Sequence, residues 1–451
     1  MTKETARGLA VRILTRVEVQ GAYVNLLLQK NLAKLTDSRD RQFVTLLVNG
    51  TLKHRLTLDY ALRLHLSKPM SSLSHEVRAI LRIGAFQLLY VDKVPPPAAI
   101  NESVELAKQF PKFTGLVNGV LRNVMNKGWN FPWPDEKRET VRYLSVRYSH
   151  PEWMIRRWLK RWGREETEAL CQANNEPAQT WIRTNTLRIA RVDLMALLME
   201  EGITVEPGTR VPESLRIQNF GSLDRLESYR KGLFTVQDES SQLVAHLAAP
   251  RPGQQVLDTC SAPGGKTTHL AQVMQNQGKI LAFDIHEQKL ELVNQLAQRL
   301  GITIVQTQLG DARDLSGLKP VSQQRVLVDA PCSGLGVLRR KADLRWRKEE
   351  QDLLNFPLLQ YAILERAAFC VEIGGDLIYS TCTIEPEENF ELVKMFRAEH
   401  SEFEPVNLMN DLPFTLEDPR DIQQARKGML QLLPHRHNMD GFFIAKFHRT
   451  R

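Results

Sequence analysis

The sequence predicts an α/β protein in three parts: an all-α N-terminal domain (1–135), a small α+β intermediate region (140–235) and a doubly wound α/β domain (236–451). Apolar residues recur at helical spacing in the first part, and strand and helix patterns mix in the second. In the third part, apolar strands alternate regularly with helices. A chain of 451 residues is also too long for a single hydrophobic core.

The N-terminal part is predicted to be helical throughout. Apolar side chains recur every three or four residues in three segments, 6–30, 40–62 and 74–90. The prolines of VPPPAAI (94–100) predict a stop, with Asn101 as the N-cap of the next helix. Prolines and a glycine within residues 125–136 predict a linker at the end of this domain.

The intermediate region opens with a predicted basic amphipathic helix, PEWMIRRWLKRWG (151–163). Bases stack on aromatic rings and phosphates pair with guanidinium groups, so Trp153, Arg156 and Arg157 are candidate RNA contacts. The alternative is that the tryptophans belong to the core and the basic face is only solvated. A strand and a second helix are predicted to follow, at 180–189 and 191–202.

The C-terminal part is predicted to form a mostly parallel seven-stranded sheet with helices on both faces. Five apolar strands are predicted at 254–260, 279–284, 303–311, 325–331 and 374–382. Helices are predicted at 265–276, 286–300 and 350–372, and a closing hairpin at 429–434 and 441–447. Ligands of such sheets bind outside the carboxyl ends of the strands, so we expect the functional residues there.

The net charge of +8 is concentrated in the first part of the chain. Residues 1–139 hold 21 Lys or Arg against 12 Asp or Glu, a net charge of +9, so the remainder is close to neutral. A basic module favours a polyanion partner, and an ordinary solvated surface is the alternative. The sequence shows neither a signal peptide nor a membrane span, so a cytoplasmic protein with no membrane partner is expected.

The five cysteines, at positions 171, 260, 332, 370 and 382, show no CxxC spacing and no nearby histidine. Neither a disulfide framework nor a zinc site is predicted from them, and no metal is expected. Cys332 in DAPCSG and Cys382 in STCTIEPEEN each follow an apolar strand, where active sites are built. A small buried hydrophobe is the alternative for either cysteine taken alone.

The segment CSAPGGK follows the first strand of the α/β domain and opens a helix. It lacks the first glycine of a Walker A phosphate loop, and it lacks the GxGxxG of dinucleotide-binding turns. The expected ligand is therefore a nucleoside without a phosphate chain, a description that S-adenosylmethionine fits. The predicted cofactor-binding residues of this turn are Cys260, Ser261, Ala262, Pro263, Gly264, Gly265 and Lys266.

Three aspartates end successive strands of the same predicted sheet. Asp284 is placed to accept the ribose hydroxyls, Asp311 lies near the expected position of the adenine, and Asp329 ends the fourth strand. One aspartate at a strand end says little, because turns favour this residue. Three in succession after a glycine-rich turn support a cofactor pocket.

Two thiols beside such a pocket suit one reaction. C5 of cytosine is not nucleophilic, but addition of a thiolate at C6 makes C5 enamine-like, so that it can accept a methyl group. A base must then remove the C5 proton before the thiolate can leave. Pro386 and the glutamates after it predict a helix that begins just after Cys382, and helix N-termini favour thiolates.

Together, DTCSAPGGKT, DAPCSGLG and YSTCTIEPEEN resemble the motifs of the RNA cytosine-C5 methyltransferases, over roughly residues 140–451. The resemblance implies a Rossmann-like class I methyltransferase domain with Cys382 as the nucleophile. It also implies that Cys332 assists elimination and product release, and that Asp329 contacts the target base beside the methyl group. The implied S-adenosylmethionine pocket is lined by 260–266, Asp284, Asp311 and Asp329.

Two N-terminal stretches, LRIGAFQLLYVDKVPPPAAINESVELAKQF (81–110) and TGLVNGVLRNVM (114–125), resemble the RNA-binding antitermination factor NusB more loosely. A NusB-like domain ahead of a cytosine-C5 methyltransferase is similar to the bacterial enzymes that modify 16S ribosomal RNA. The resemblance implies a monomeric enzyme whose partner is 16S rRNA, free or in early assembly particles. Another RNA, such as tRNA or 23S rRNA, is the alternative substrate.

The segment LRRKADLRWRKEE (338–350) directly follows the Cys332 loop and is strongly basic. Beside a catalytic pocket such a run is expected to hold the RNA backbone, whereas an isolated run is more often a solvated face. The candidate RNA contacts here are Arg339, Arg340, Lys341, Arg345 and Arg347.

Two rival functions stay open at this point. A DNA cytosine-C5 methyltransferase would attack with the cysteine of the Pro-Cys loop, which here is Cys332. A non-catalytic RNA-binding assembly factor would keep the fold without needing either thiol, and the intact DAPC and STC motifs argue against it.

Overall fold

The computed structural model describes residues 5–315 and 317–451, in which helices and strands are numbered in chain order. These residues form two compact units. The first unit comprises the chain up to Glu176 together with Arg340–Lys348, and the second comprises Pro177–Arg339 and Glu349–Arg451. None of the helices in the described ranges is long and apolar enough to cross a membrane.

The first unit is helical, as predicted for the N-terminal part. Its helices are α1 (Ala6–Gln20), α2 (Val24–Leu32), α3 (Ser38–Lys53), α4 (Arg55–Arg63), α5 (His75–Tyr90), α6 (Pro96–Ala107), α7 (Pro111–Lys127), α8 (Thr140–Tyr148), α9 (Glu152–Asn175) and the short α15 (Leu344–Arg347). Side chains such as Leu47, Ile80 and Leu121 are fully buried and belong to one shared core.

Two boundaries in this unit differ from the prediction. Gly21 adopts a left-handed conformation (φ 59°) and divides the predicted segment 6–30 into α1 and α2. The prolines before Asn101 lie in the first turn of α6, which begins at Pro96. The predicted N-cap at Asn101 is therefore wrong, because amides in a first helical turn need no intrahelical acceptor and proline is tolerated there.

The predicted linker, residues 125–136, packs against the first unit instead of crossing open solvent. Phe131 is buried, and the Trp133 ring stacks on Tyr60 with centroids 6.0 Å apart. The Arg147 guanidinium, from α8, lies 4.9 Å from the centre of the Trp133 ring. The first unit thus continues through α8 and α9, beyond the predicted domain end at residue 135.

The second unit begins with a small α+β part, as predicted. Its strands are β1 (Thr180–Thr184), β2 (Thr204–Pro207), β3 (Ser214–Gln218) and β4 (Phe234–Val236), accompanied by α10 (Arg191–Glu200) and α11 (Glu227–Arg230). The strands form an antiparallel sheet in the order β2-β3-β1-β4. Ile182, Leu198 and Phe234 are fully buried in the core of this part.

The remainder of the second unit contains an eight-stranded sheet. Its strands are β5 (Gln255–Asp258), β6 (Lys279–Asp284), β7 (Val305–Leu309), β8 (Gln323–Asp329), β9 (Val371–Thr381), β10 (Phe403–Pro405), β11 (Met429–Leu432) and β12 (Phe442–Arg449). The order β12-β9-β8-β5-β6-β7 contains five parallel strands, and β12 runs antiparallel to β9, β10 and β11. All seven predicted strands are present, and the three-residue β10 is an additional one.

Helices cover both faces of this sheet. They are α12 (Glu239–Ala248), α13 (Gly265–Val273), α14 (Glu287–Leu300), α16 (Asp352–Cys370), α17 (Phe390–Glu399), α18 (Pro419–Arg426) and α19 (Pro434–His437). Successive side chains of β8 alternate between two separate cores: Leu327 belongs to one, and Val326 and Val328 to the other. Strands buried on both faces carry the continuous apolar runs that predicted them.

Candidate active site

The two cysteines singled out in the sequence lie together at one edge of the large sheet. Asp329 at the end of β8 is in register with Ser380 near the end of β9, so the loops that follow both strands leave the sheet side by side. Cys332 Sγ and Cys382 Sγ are 3.2 Å apart, and both side chains are half-buried. The register of two adjacent parallel strands therefore brings together thiols that are 50 residues apart in the chain.

A buried carboxylate holds the two cysteine loops in place. Glu388 Oε2 accepts the backbone N–H of Ser333 (2.9 Å) and the Gln360 amide (2.8 Å). The same Gln360 amide donates to the carbonyl of Pro331 (2.9 Å). The hydroxyls of Ser333 and Thr383 are 2.7 Å apart and join the two loops directly. The loop that carries Cys332 is thereby fixed on both sides of the thiol.

Asn389 performs the same task for the loop that carries Cys382. Its Nδ2 donates to the carbonyl of Thr383 (3.0 Å) and to Gln431 Oε1 (2.9 Å), and its Oδ1 accepts the Thr381 hydroxyl (2.7 Å). The sequence predicts a helix start and a family motif in this segment, but neither prediction identified Glu388 and Asn389 as positioning residues. The signal was present, because EPEEN places several polar groups directly beside a strand end.

The pKa of the Cys332 thiol is raised well above its ordinary value. The hydrogen bond with Cys382 is the largest cause, and burial adds to it. Both causes favour the protonated form of Cys332, and the two sulfur atoms share one hydrogen bond in which either can be the donor.

An ion pair lies at the same sheet edge. Lys266 Nζ is 2.7 Å from Asp329 Oδ2, and the Ser380 hydroxyl donates to Asp329 Oδ1 (2.8 Å). Burial lowers the pKa of Lys266, but the Asp329 carboxylate outweighs burial and the net pKa is raised. Cys382 also favours the charged form of this lysine. A cation thus accompanies the Asp329 carboxylate and the Cys382 sulfur at this edge of the sheet.

The segment 260–266 forms one turn at the carboxyl end of β5. The backbone N–H and the hydroxyl of Ser261 both donate to the carbonyl of Phe283 (2.8 and 2.9 Å). Gly264 has φ +100°, and a Cβ there would lie 3.1 Å from Val293 Cα, so only glycine fits. Ala262 and Pro263 lie between them, and Gly265 opens α13. Burial raises the pKa of Cys260 strongly, so this thiol stays neutral.

Asp258, the last residue of β5, was quoted in the motif but not selected from the sequence. Its Oδ2 accepts the Thr267 hydroxyl (2.7 Å), and its Oδ1 is buried without a hydrogen-bond partner. Burial raises the pKa of Asp258 to about 7, and the hydrogen bond from Thr267 opposes this rise. An unsatisfied buried oxygen beside a glycine-rich turn suits a polar or cationic ligand group.

The other two predicted cofactor aspartates lie at the same edge in different surroundings. Asp284 Oδ1 accepts the backbone N–H of His286 (2.9 Å). Both oxygens of Asp311 bind the guanidinium of Arg313 at distances between 2.5 and 3.0 Å. This hydrogen bonding lowers the pKa of Asp311. Asp311 is therefore an ion-paired but exposed carboxylate, and its place near the adenine stays a prediction.

Two of the arginines predicted to contact RNA are enclosed by protein. Arg339 forms an ion pair with Asp440 (3.2 Å), and both side chains are only 3% exposed. Arg345 is fully buried and donates to the carbonyls of Lys53 (3.2 Å) and Ser149 (2.9 Å) and to Asn175 Oδ1 (3.0 Å). These two assignments are corrected, because a guanidinium group surrounded in this way cannot meet a phosphate.

The other basic candidates keep solvent access. Lys341 is exposed, Arg340 is half-buried, and the Arg347 guanidinium lies 3.6 Å from the centre of the Tyr23 ring. In α9, Arg156 is exposed and pairs with Glu152 (3.0 Å), whereas Trp153 and Arg157 are half-buried. The neighbouring Trp158 is a core side chain, which is the alternative foreseen for the tryptophans of this helix.

Three parts of the chain match models of known protein families. Residues 245–448 match the model described as 16S rRNA methyltransferase RsmB/F, and residues 4–126 match the NusB family. Residues 150–224 match the ferredoxin-like domain of RsmF/B-like methyltransferases. The predicted NusB-like, α+β and methyltransferase parts are thereby confirmed.

Full-length relatives carry the same description. The chain is 37% identical to the probable ribosomal RNA small subunit methyltransferase B of Bacillus subtilis (strain 168), over the whole of both proteins. It is 33% identical to ribosomal RNA small subunit methyltransferase B of Escherichia coli O1:K1 / APEC, over 98% of this chain and 97% of that protein. The crystal structure of PH0851 superposes with a TM-score of 0.80 at 28% identity and covers 99% of both chains. The chain therefore belongs to the RsmB/F family of 16S ribosomal RNA methyltransferases.

Proposed function

We propose that this protein methylates C5 of a cytosine in 16S ribosomal RNA, with S-adenosylmethionine as the methyl donor and Cys382 as a transient covalent nucleophile. The observation that carries the proposal is the 3.2 Å separation of the Cys332 and Cys382 sulfur atoms at the ends of adjacent parallel strands. Methyl transfer to a carbon that is not nucleophilic needs one group to activate the ring and a second to remove a proton. Two thiols in contact supply both.

The residues at the end of β5 fit S-adenosylmethionine. Only glycine fits at Gly264, the Oδ1 atom of Asp258 has no partner, and the Asp284 carboxylate is available to hydroxyl groups. When bound, S-adenosylmethionine supplies the methyl group and carries the positive charge on its sulfur. We assign its polar groups to Asp258, Asp284 and the 260–266 turn. Asp311 is placed near the adenine, because its ion pair with Arg313 is exposed and leaves acceptor positions on the carboxylate open.

The reaction begins with Cys382. Its thiolate forms a bond to C6 of the cytosine, and the electron pair of the C5–C6 double bond becomes available at C5. Lys266 and Ser380 hold Asp329 so that its carboxylate contacts the ring, and the lysine cation offsets negative charge at this edge of the sheet. The base must be unstacked or flipped out of the RNA to reach these groups.

Cys332 acts in the second half of the reaction. Once Cys382 is bonded to the base it no longer accepts a hydrogen bond from Cys332, and the largest cause of the raised Cys332 pKa is removed. Cys332 then gives its proton to solvent water, and after C5 has taken the methyl group the Cys332 thiolate removes the proton of C5. The electrons of that C–H bond restore the C5–C6 double bond, and Cys382 leaves as a thiolate.

Trapping with an RNA transcript that contains 5-fluorocytosine tests the proposal, because fluorine at C5 cannot be removed as a proton and the adduct persists. We expect wild type and Cys370→Ala, a buried cysteine outside the site, to form the adduct equally. Cys382→Ala should form none. Cys332→Ala should form an adduct even with unmodified RNA and release it slowly.

Two outcomes would contradict the assignment. Loss of the adduct in Cys332→Ala alone would reverse the roles of the two cysteines, as in the DNA-type mechanism. No adduct in the wild type would remove the covalent mechanism altogether. Methyl transfer to 16S rRNA fragments, measured beside transfer to tRNA and 23S rRNA, tests the substrate: faster transfer to either of the latter would overturn the 16S assignment.

A further inference from the structure

A second cluster of titratable side chains lies outside the active site, in the same unit. It consists of Glu213, directly before β3, His246 in α12 and His269 in α13. One ligand atom from each residue, a carboxylate oxygen or an imidazole nitrogen, lies within 4.8 Å of the other two. Within residues 5–315 and 317–451, no other set of three or more His, Cys, Asp or Glu side chains has ligand atoms this close together.

The three ligand atoms face one another closely. Glu213 Oε1 is 2.9 Å from His246 Nε2 and 2.5 Å from His269 Nε2. The two imidazole rings are nearly perpendicular, with centroids 5.5 Å apart. Glu213 and His269 are 6% and 1% exposed, whereas His246 is 22% exposed and leaves a path from solvent.

The contact between Glu213 and His269 is not a satisfactory hydrogen bond. His269 is fully buried, and neither of its ring nitrogens has a hydrogen-bond partner, although Nε2 lies beside the carboxylate. If the ring proton is on Nδ1, the lone pair of Nε2 faces a carboxylate oxygen, and the two repel. A cation bound to both atoms would replace this repulsion with attraction, with the two side chains moved apart to admit bonds of about 2.0–2.2 Å.

The positive charge of the buried Arg183 does not fill this role. The Arg183 guanidinium donates to the Gly265 carbonyl (2.7 Å), to the Thr268 hydroxyl (3.0 Å) and to Gln237. Its Nε atom is buried without a partner, so its bonds are directed to α13 and the residues before α12. Arg183 thus supports the helix that carries His269 without bonding to Glu213.

We propose that Glu213, His246 and His269 bind one divalent cation of the zinc class, with water as a further ligand. Two imidazoles and one carboxylate are a ligand set that Zn²⁺ accepts, with bonds of about 2.0–2.2 Å. The ion would join the strand β3, α12 and α13, and so brace the helix whose first turn carries Lys266. Cysteine spacing predicts no metal site, and it gives no sign of this cluster because the three residues contain no cysteine and are far apart in the chain.

Zinc binding to the full-length protein tests this proposal. The Cys332→Ser/Cys382→Ser double variant is the background, because two adjacent thiols bind zinc themselves. We expect chelator competition to give one tight Zn²⁺ per chain, and Co²⁺ to give the absorption bands of a four-coordinate site. His246→Gln and Glu213→Gln should weaken binding at least about 100-fold, since the loss of even an outer-sphere partner costs 10–100-fold.

His400→Gln is the matched control. His400 Nδ1 lies 3.0 Å from Glu402 Oε1 in the same unit, a histidine–carboxylate pair that forms no three-ligand group with other described residues. This variant should bind zinc like the background protein. No tight zinc in the background protein, or equal affinity in His246→Gln, would overturn the proposal and leave a metal-free polar cluster. Circular dichroism of the half-exposed His246→Gln variant checks that folding is retained. Methyl transfer is not part of the readout.

Discussion

Two cations, the half-buried Lys266 in the second unit and the fully buried Arg345 in the first, show how differently the same kind of charge is used. Lys266 has a carboxylate partner at 2.7 Å, and its pKa is raised. Arg345 donates to carbonyl and amide oxygens, and burial lowers its pKa to about 9. Both residues stand in segments that the sequence singled out. Lys266 lies beside the reactive sulfurs, whereas Arg345 fastens parts of the helical unit to one another.

A sequence motif therefore predicts where a side chain lies in the fold better than it predicts whether that side chain is exposed to solvent. Lys266, Asp329 and Cys382 follow strands of one parallel sheet, so they lie at a common edge whatever the details of packing. The arginines after residue 338 have no such constraint. Arg345 is buried because oxygen atoms from three segments accept hydrogen bonds from its guanidinium group. These segments lie far from residue 345 in the chain, so the local sequence does not predict the contacts.

The largest effect is expected for Lys266→Met, which removes the cation paired with Asp329 while nearly keeping the side-chain volume. We expect methyl transfer to 16S rRNA to fall about 1,000-fold, because loss of one preorganised electrostatic partner costs about 100- to 1,000-fold and Asp329 is left uncompensated as well. The exposed Lys279→Met in the same sheet is the control. If the variant keeps methyl-transfer activity within threefold of wild type, Lys266 serves the stability of the fold, as Arg345 does, and not methyl transfer.

Arg345→Met should act on folding. We expect the free energy of unfolding of the first unit to fall by about 3 kcal/mol, because several buried oxygens lose a charged donor at once. Lys341→Met, an exposed position in the same segment, should change it by less than about 0.5 kcal/mol. Urea unfolding of the full chain, followed by tryptophan fluorescence, measures both. Equal effects would remove the distinction between the two positions.

Asp258→Asn tests whether the positive charge of Lys266 also stabilises a carboxylate at Asp258. Burial raises the Asp258 pKa from 3.8 to about 7, so between these values the folded protein holds a proton that the unfolded chain does not. The stability that this proton contributes is present at low pH and is lost as the pH rises toward 7. From pH 5 to pH 8 the wild type should lose about 2 to 3 kcal/mol relative to Asp258→Asn.

Urea unfolding of both proteins at each pH gives this difference directly. Asparagine keeps an acceptor for the Thr267 hydroxyl and imitates the protonated acid, so the two proteins should be similar in stability at pH 5. If the difference in the free energy of unfolding between the two proteins stays constant with pH, the charge of Lys266 stabilises the Asp258 carboxylate as well as that of Asp329.

The smallest effect is expected for Lys341→Gln on RNA binding. This exposed lysine is a remaining candidate for a phosphate contact in the segment that contains Arg345. Affinity for 16S rRNA fragments should fall about threefold, and the slope of log Kd against log salt should decrease by about 0.7, the value for one phosphate contact on a single strand. Filter binding at several salt concentrations measures both. An unchanged slope would assign the whole segment a structural role.

The sequence was informative wherever periodicity or strand order decides the outcome. Every predicted strand of the large sheet formed, and the two cysteines met because their strands are neighbours in register. Predictions from short sequence patterns were less informative where one pattern is compatible with two structures. The prolines before Asn101 begin a helix instead of ending one, and the aromatic linker after α7 packs onto the helical unit.

The order of apolar runs and glycine-rich turns along the chain was enough to determine the fold class, the edge of the sheet that carries the chemistry, and the pair of thiols. Only the tertiary structure decided which polar groups are enclosed: Glu388 and Asn389 behind the cysteine loops, Arg345 in the helical unit, and the Glu213–His246–His269 cluster. The physical reason is that local periodicity predicts each strand and its place along the chain. The partner of a buried charge, by contrast, comes from residues far away in the chain.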